Sequence, residues 1–385
     1  MVQLEQLIAA ILRGEPVGWP RDAGQVEEAR FLQAAARHGV KPLLAHHLHC
    51  AGALRDWPER VSESLRQAAR EEVLTDEGRR PELLQLLRTM ATVDVRPLLM
   101  KGAAVAYLYY PIPFLRPRRD VDLLIRKEDV ARVTRLMRDF GYRRSPVISG
   151  DLVMHQCQFF KPDRSGILHT YDLHWKIANP QPFAGVLVFD ELRGRSIELP
   201  ALGEPARTLG HTDALFLACI HRVAHHADSP RLLWLYDIHL MASRMDREGF
   251  ERFAALASEK RVAAVCAASL GLARQWFHTE LPTDLMEVLA AGAATEPSAR
   301  YIGGRMRPVD VLLSDLRFLG GWRARWQLIR EHLFPPPSYM LERYAVSNRM
   351  LLPALYAHRV LRGMAKWFGR PHSPRSEFLK EAREG

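Results

Sequence analysis

Arg116-Pro-Arg-Arg-Asp-Val-Asp-Leu-Leu-Ile125 is the stretch that decides the fold. Val121 to Ile125 is short and apolar, which predicts a strand. Asp120 and Asp122 stand two apart, so strand alternation puts both side chains on one face, ~6.5–7 Å apart along it. Leu123-Leu124-Ile125 predicts that the strand runs into a core, leaving the carboxylates where it meets an opening. Two carboxylates so spaced can share hard cations and leave coordination sites for water and phosphate oxygens. Taken alone, the pair also fits a solvated strand end.

Upstream, Val93 to Met100 predicts another strand, Lys101-Gly102 a turn and Ala103 to Tyr110 a helix. Glycine at such a junction lets backbone approach a ligand, and the helix N-terminus offers free N–H groups to a phosphate. Lys101 adds a point charge, although an ordinary tight turn with an exposed lysine reads the same way. Downstream, Lys127 to Phe140 predicts a helix stopped by Gly141, and Leu152 to Phe160 and Ile167 to Ile177 predict two strands. In the second of these, Tyr171, Leu173 and Trp175 alternate with Asp172, His174 and Lys176. Asp172 becomes a third carboxylate for the polar face, and His174 reads as an orienting partner rather than a ligand.

The flanks are helical. Val26 to His38 (stopped by Gly39), Pro42 to Leu48, Val61 to Thr75 and Glu82 to Met90 precede the core. Beyond Thr208, the helices expected are Asp213–His226, Arg231–Met245, Phe250–Leu256, Val262–Phe277, Trp322–Leu333 and Arg349–Phe368. The boundaries implied are a helical region 1–92, an α/β core 93–205, a second helical region 206–370 and a loose tail 371–385.

Composition agrees with a globular chain. Of 385 residues, 48% are hydrophobic and 25% charged, which excludes disordered and collagenous classes. Cys50, Cys157, Cys219 and Cys266 stand singly, so neither a Cys zinc site nor a disulfide framework is indicated. Glu5 and the helical spacing of Leu4, Leu7, Ile8, Ile11 and Leu12 predict an amphipathic helix rather than a leader. No run of ~18 apolar residues appears, so no membrane insertion and a cytoplasmic location are expected. The net charge of +10 suits a polyanionic ligand, but the arginines are spread along the chain.

With these motifs assembled, the chain resembles the nucleotidyltransferase superfamily typified by DNA polymerase beta. LLMKGAAVAYLYY (98–110), LRPRRDVDLLI (115–125) and YDLHW (171–175) are more closely similar to a little-characterised bacterial nucleotidyltransferase family. His221, His225, Arg231 to Asp237 and the segment from Pro335 to Tyr344 look like that family too. The resemblance implies an α+β fold, a small mixed-sheet nucleotidyltransferase core flanked by helical regions. It implies Mg²⁺ (with Mn²⁺ possible) held by Asp120, Asp122 and Asp172, and catalysis by these three. It also implies an NTP held near Lys101, Gly102, Ala103, Arg116 and Arg119, with Arg118 in the same run. Two cations ~3.5–4 Å apart would clamp the attacking and leaving oxygens of an in-line displacement at phosphorus. Gly102-Ala103 departs from the superfamily's usual Gly-Gly or Gly-Ser, which removes a hydroxyl.

That departure supports an alternative, a catalytically reduced nucleotide-binding or regulatory module. A third reading is a metal-dependent phosphohydrolase built on His221, His225, His226, Asp228 and Asp237. His221 and His225 are four apart on one helical face. Ahead of that reading stands a packing or acceptor-pocket role for the two histidines, in which one could bond a carboxylate such as Asp237 and have its pKa raised. The identity of the NTP is not read, and the acceptor is left open among small molecules, peptides, proteins and tRNA. Mutual repulsion of the carboxylates predicts that Asp122→Asn leaves the melting temperature unchanged or raises it.

Overall fold

The computed structural model describes residues 2–145, 150–291 and 293–368. Seven strands form one mixed sheet: β1 (Leu98–Met100), β2 (Val121–Leu124), β3 (Arg143–Arg144), β4 (Gln156–Pro162), β5 (Leu168–His174), β6 (Ile197–Glu198) and β7 (Arg207–Thr208). Their order is β3-β4-β5-β2-β1-β7-β6. The β2–β5 and β1–β7 pairs are parallel, and the others antiparallel. The sheet with its flanking helices is the α+β architecture expected.

Strand alternation divides the apolar residues between two faces. Leu99, Val121, Leu123, Cys157, Phe159, Tyr171 and Leu173 pack against Leu83, Leu86, Leu87 and Met90 of a long helix and Val133, Leu136 and Met137 of another. Leu98, Met100 and Leu124 share a second core with helices from both ends of the chain. There Ile8, Phe31, Leu44 and Leu65 join Phe216, Ile220, Leu235, Phe253 and Phe277. The apolar interior is therefore continuous between the N-terminal and C-terminal helices.

Several helix limits follow local signals. Gly39 takes φ +69° and its N–H bonds the Ala35 and Ala36 carbonyls, ending the helix Gln25–His38, a conformation that favours glycine. Others are overridden. Val61–Thr75 and Glu82–Met90 are parts of one 34-residue helix, Glu59–Thr92, which runs through Pro81. An interior proline costs ~3 kcal/mol. Contacts around it hold the helix together. Arg79 donates to the carbonyls of Arg118 (2.6 Å) and Leu168 (3.0 Å), and Arg80 to that of Ala201 (2.6 Å).

The first strand is shorter than expected, because the long helix uses the chain to Thr92 and Asp94 turns at φ +55°. The strand expected from Leu152 begins only at Gln156. β3, β6 and β7 are two-residue pieces without a legible pattern, and Thr208 closes the sheet rather than opening the helical region. Its hydroxyl donates to the Leu99 carbonyl at 2.9 Å. The expected tail 371–385 lies outside the described residues. Among the described residues, no helix is long and apolar enough to cross a membrane.

Candidate functional site

Parallel pairing of β2 with β5 puts Asp122 opposite Asp172 and Leu124 opposite His174. Because residues two apart share a face, Asp122, Asp172 and His174 converge. One ligand atom from each lies within 4.8 Å of the others. Hard carboxylate oxygens and an imidazole nitrogen form a donor set that suits a divalent cation. His174, expected only to orient, thus stands where it can also ligate.

Lys101 lies at the β1–helix junction with φ +52°, a left-handed backbone that costs a non-glycine residue about 1–2 kcal/mol. Its helix runs Lys101–Tyr109, starting two residues before the expected Ala103. Lys101 Nζ donates to Asp122 Oδ1 at 2.7 Å, and His174 Nε2 lies 2.8 Å from the same oxygen. Burial works to raise the Asp122 pKa, but the Lys101 ammonium and the His174 hydrogen bond outweigh it and hold the carboxyl well below its usual range. The expectation that Asp122 is destabilised by its neighbours is therefore corrected: a cation already compensates it.

Asp120 bears the unfavourable charge instead. Burial, then Asp122 and Asp172, push its pKa up to about 7. Asp172 is also raised, first by burial and then by Asp122. Gln158 and Gln156, on β4, donate to its two oxygens at 3.0 and 3.3 Å. His174 is lowered to about 4 by burial and Lys101, so it is neutral at pH 7.

A cavity of about 720 Å³ opens over this floor and includes Lys101, Gly102, Asp120, Asp122 and Asp172 in its lining. Arg37, Lys41 and Glu71 line the N-terminal wall, and His221, His225, His226 and Trp234 the C-terminal wall. The motif arginines part company. Arg116 is buried and clasps Asp237 with both Nε and Nη2, at 2.9 and 2.6 Å from its two oxygens. Arg118 bonds Asp76 and Tyr107. Arg119 is exposed at the cavity and makes no ion pair or hydrogen bond among the described residues. Ala103 is fully buried in the core on the other face of the sheet. Its methyl group does not line the cavity.

The histidine constellation takes a different form from the one expected. The rings of His221 and His225 stack with centroids 5.3 Å apart, and His226 lies 4.0 Å from Trp234. Asp237 is engaged by Arg116 and by Tyr110 Oη at 2.8 Å. Asp228 pairs with Arg222 at 2.6 Å. Neither Asp237 nor Asp228 is therefore left to raise a histidine, and the pull of Asp122 on His225 and His226 is outweighed. Burial, then Lys101, lowers His221 far, His225 to about 3 and His226 to about 4. Among the described residues, the group that could hold a metal is Asp122, Asp172 and His174, not this wall.

A family model described as uncharacterised nucleotidyltransferase matches residues 24–278, about two-thirds of the chain, and the chain belongs to that family. The matched span contains the sheet, the cavity floor and both cavity walls. No curated protein matches the chain.

Proposed function

We propose, with that family membership as premise, that the protein transfers a nucleoside monophosphate from an NTP to an acceptor hydroxyl. The observation that carries this reading is the register of β2 against β5, which brings Asp122 and Asp172 face to face beneath an open cavity. Asp120, Asp122 and Asp172 would hold Mg²⁺, or Mn²⁺, with His174 able to join them. The bound metal would supply charge neutralisation at the oxygens of the reacting phosphate.

The chain's own residues position the reactants. Lys101, the helix N-terminus at Gly102 and Ala103, and Arg119 take the triphosphate, the lysine as a point charge and the arginine as a planar fork. Arg116 acts at one remove. Pinned on Asp237, it packs beside Gly102 and shapes the loop that carries Asp120. The acceptor oxygen attacks the α-phosphorus, its bond forms as the bond to pyrophosphate breaks, and its proton passes to Asp120 or Asp172. Asp120 is raised to about 7, which suits a proton acceptor near neutral pH, and burial raises Asp172 in the same direction. Burial of the Ala103 methyl under the sheet removes the main support for a reduced, binding-only module. A hydroxyl on that side chain would lie in the core.

The test is incubation with each labelled NTP, Mg²⁺ and cell extract, followed by identification of the labelled product. Label should appear with wild type and fall by ~10³-fold or more with Asp122→Asn or Asp172→Asn. A thermal-shift panel with each NTP, with and without Mg²⁺, separates binding from turnover. Metal-independent nucleotide stabilisation without label transfer would overturn the enzyme reading.

A further inference from the structure

Beyond the region matched by the family model, the chain presents apolar side chains to solvent. Among the described residues, nine of the sixteen exposed large hydrophobics lie between Leu313 and Leu361. The helix Trp322–Leu333 shows how they are arranged. Trp322 is 73% exposed and Trp326 62%. With the partly exposed Ile329 and Leu333 they recur at i, i+4, i+7 and i+11, one stripe on one face. Leu328 and Glu331, on the opposite side, are the buried residues that seat the helix. The apolar stripe therefore faces outward, the reverse of an ordinary surface helix.

Cations flank that stripe. At 100° per residue, Arg325 falls on one side of it and Arg323 and Arg330 on the other. None has a carboxylate partner among the described residues. Arg323 lies over the Trp322 ring at 5.7 Å, and Arg325 Nε donates to the Leu319 carbonyl at 3.1 Å. The span 308–368 carries nine Lys or Arg against four Asp or Glu. Three of those acids are used internally. Asp310 pairs with Arg307, Asp315 accepts from the Gln181 N–H at 2.7 Å, and Glu331 accepts from the backbone of residues 151–153.

We infer that the Trp322–Leu333 helix docks on an anionic phospholipid surface. Trp and Arg are suited to opposite layers of that interface. The indoles settle at headgroup depth and the arginine stems bury while their heads reach lipid phosphates. A second copy of the chain fits poorly, because its arginine flanks would meet these ones. At twelve residues the helix is too short to span a bilayer, so it lies along the surface.

The experiment is flotation of the full chain with two vesicle compositions. One is phosphatidylcholine alone, and the other carries about 30% phosphatidylglycerol. Wild type should float with the anionic vesicles and not with the neutral ones, and salt near ~0.5 M should release it. Trp322→Ser/Trp326→Ser and Arg325→Glu/Arg330→Glu should each lower the bound fraction about tenfold or more. These side chains are exposed, and an unchanged melting curve verifies that the variants are folded. Failure of folded wild type to bind anionic vesicles overturns the inference, as does binding that both variants retain. A wild-type dimer in solution that the tryptophan variant dissolves, without vesicle binding, assigns the stripe to a second copy instead.

Discussion

Asp120 and Asp122 share a strand end yet are held in opposite electrostatic states, and stability should report it. Asp120 has its pKa raised from the unfolded value to about 7, by burial and then by its carboxylate neighbours. A raised acid destabilises the fold once ionisation begins in the unfolded chain, so stability is lost as pH climbs from ~4 through 7. Asp120→Asn should therefore raise the melting temperature by a few degrees at pH 8, with the gain vanishing by pH 4. Asp122 is the reverse: its lowered pKa stabilises the fold above ~4, and that stability is lost only in strong acid. Asp122→Asn leaves the partly buried Lys101 ammonium without its anion and should cost about 1–3 kcal/mol at pH 7, measured by thermal melts without metal. The two-residue spacing pointed to both carboxylates in the sequence, and both line the cavity. The Lys101 ammonium on Asp122 was not legible, because it depends on a left-handed backbone at a residue that ordinarily avoids one.

At the scale of elements, the site hangs on a clamp between the loop before β2 and the helix Leu232–Ala242. Asp237→Ala strands the buried Arg116 guanidinium and should cost about 3–5 kcal/mol. Any activity loss should track the folded fraction in chemical denaturation. Gly102→Ala tests the same clamp from the other side. A Cβ at Gly102 would lie 2.9 Å from Arg116 Nη1. That nitrogen has little freedom to yield while Asp237 holds the guanidinium. The variant should lower the melting temperature, and its cost should shrink when combined with Asp237→Ala, as a double-mutant cycle would show. The Arg116–Asp237 pair spans 121 residues, so local periodicity could not reveal it. The strand Val121–Leu124 and the helix Trp322–Leu333 were legible because each carries its own pattern. The long helix through Pro81 was not, since contacts from three distant carbonyls outweigh the local breaker.

At the scale of the molecule, the core expected at 93–205 is surrounded by packing it does not own. Leu98, Met100 and Leu124 bury against helices that begin as early as residue 2 and extend beyond residue 270. A fragment restricted to 93–205 exposes that face, along with the carboxylates seated on it. It should show little cooperative unfolding by circular dichroism and should bind 1-anilinonaphthalene-8-sulfonate strongly. A sharp, native-like melt of the fragment would sink this expectation.

The continuous interior also constrains how the chain is made. Arg13 donates to the Trp276 carbonyl at 2.7 Å across 263 residues, and the cavity takes its C-terminal wall from residues beyond 220. During synthesis at ~5–20 residues per second, the N-terminal helices emerge many seconds before their partners. For that interval Ile8, Phe31, Leu44 and Leu65 have no C-terminal helices to cover them. A nascent chain whose residues beyond 220 have yet to emerge therefore has the motif residues but only part of the pocket. Chaperone demand should peak in that window and fall once the helix ending at Phe277 has cleared the exit tunnel.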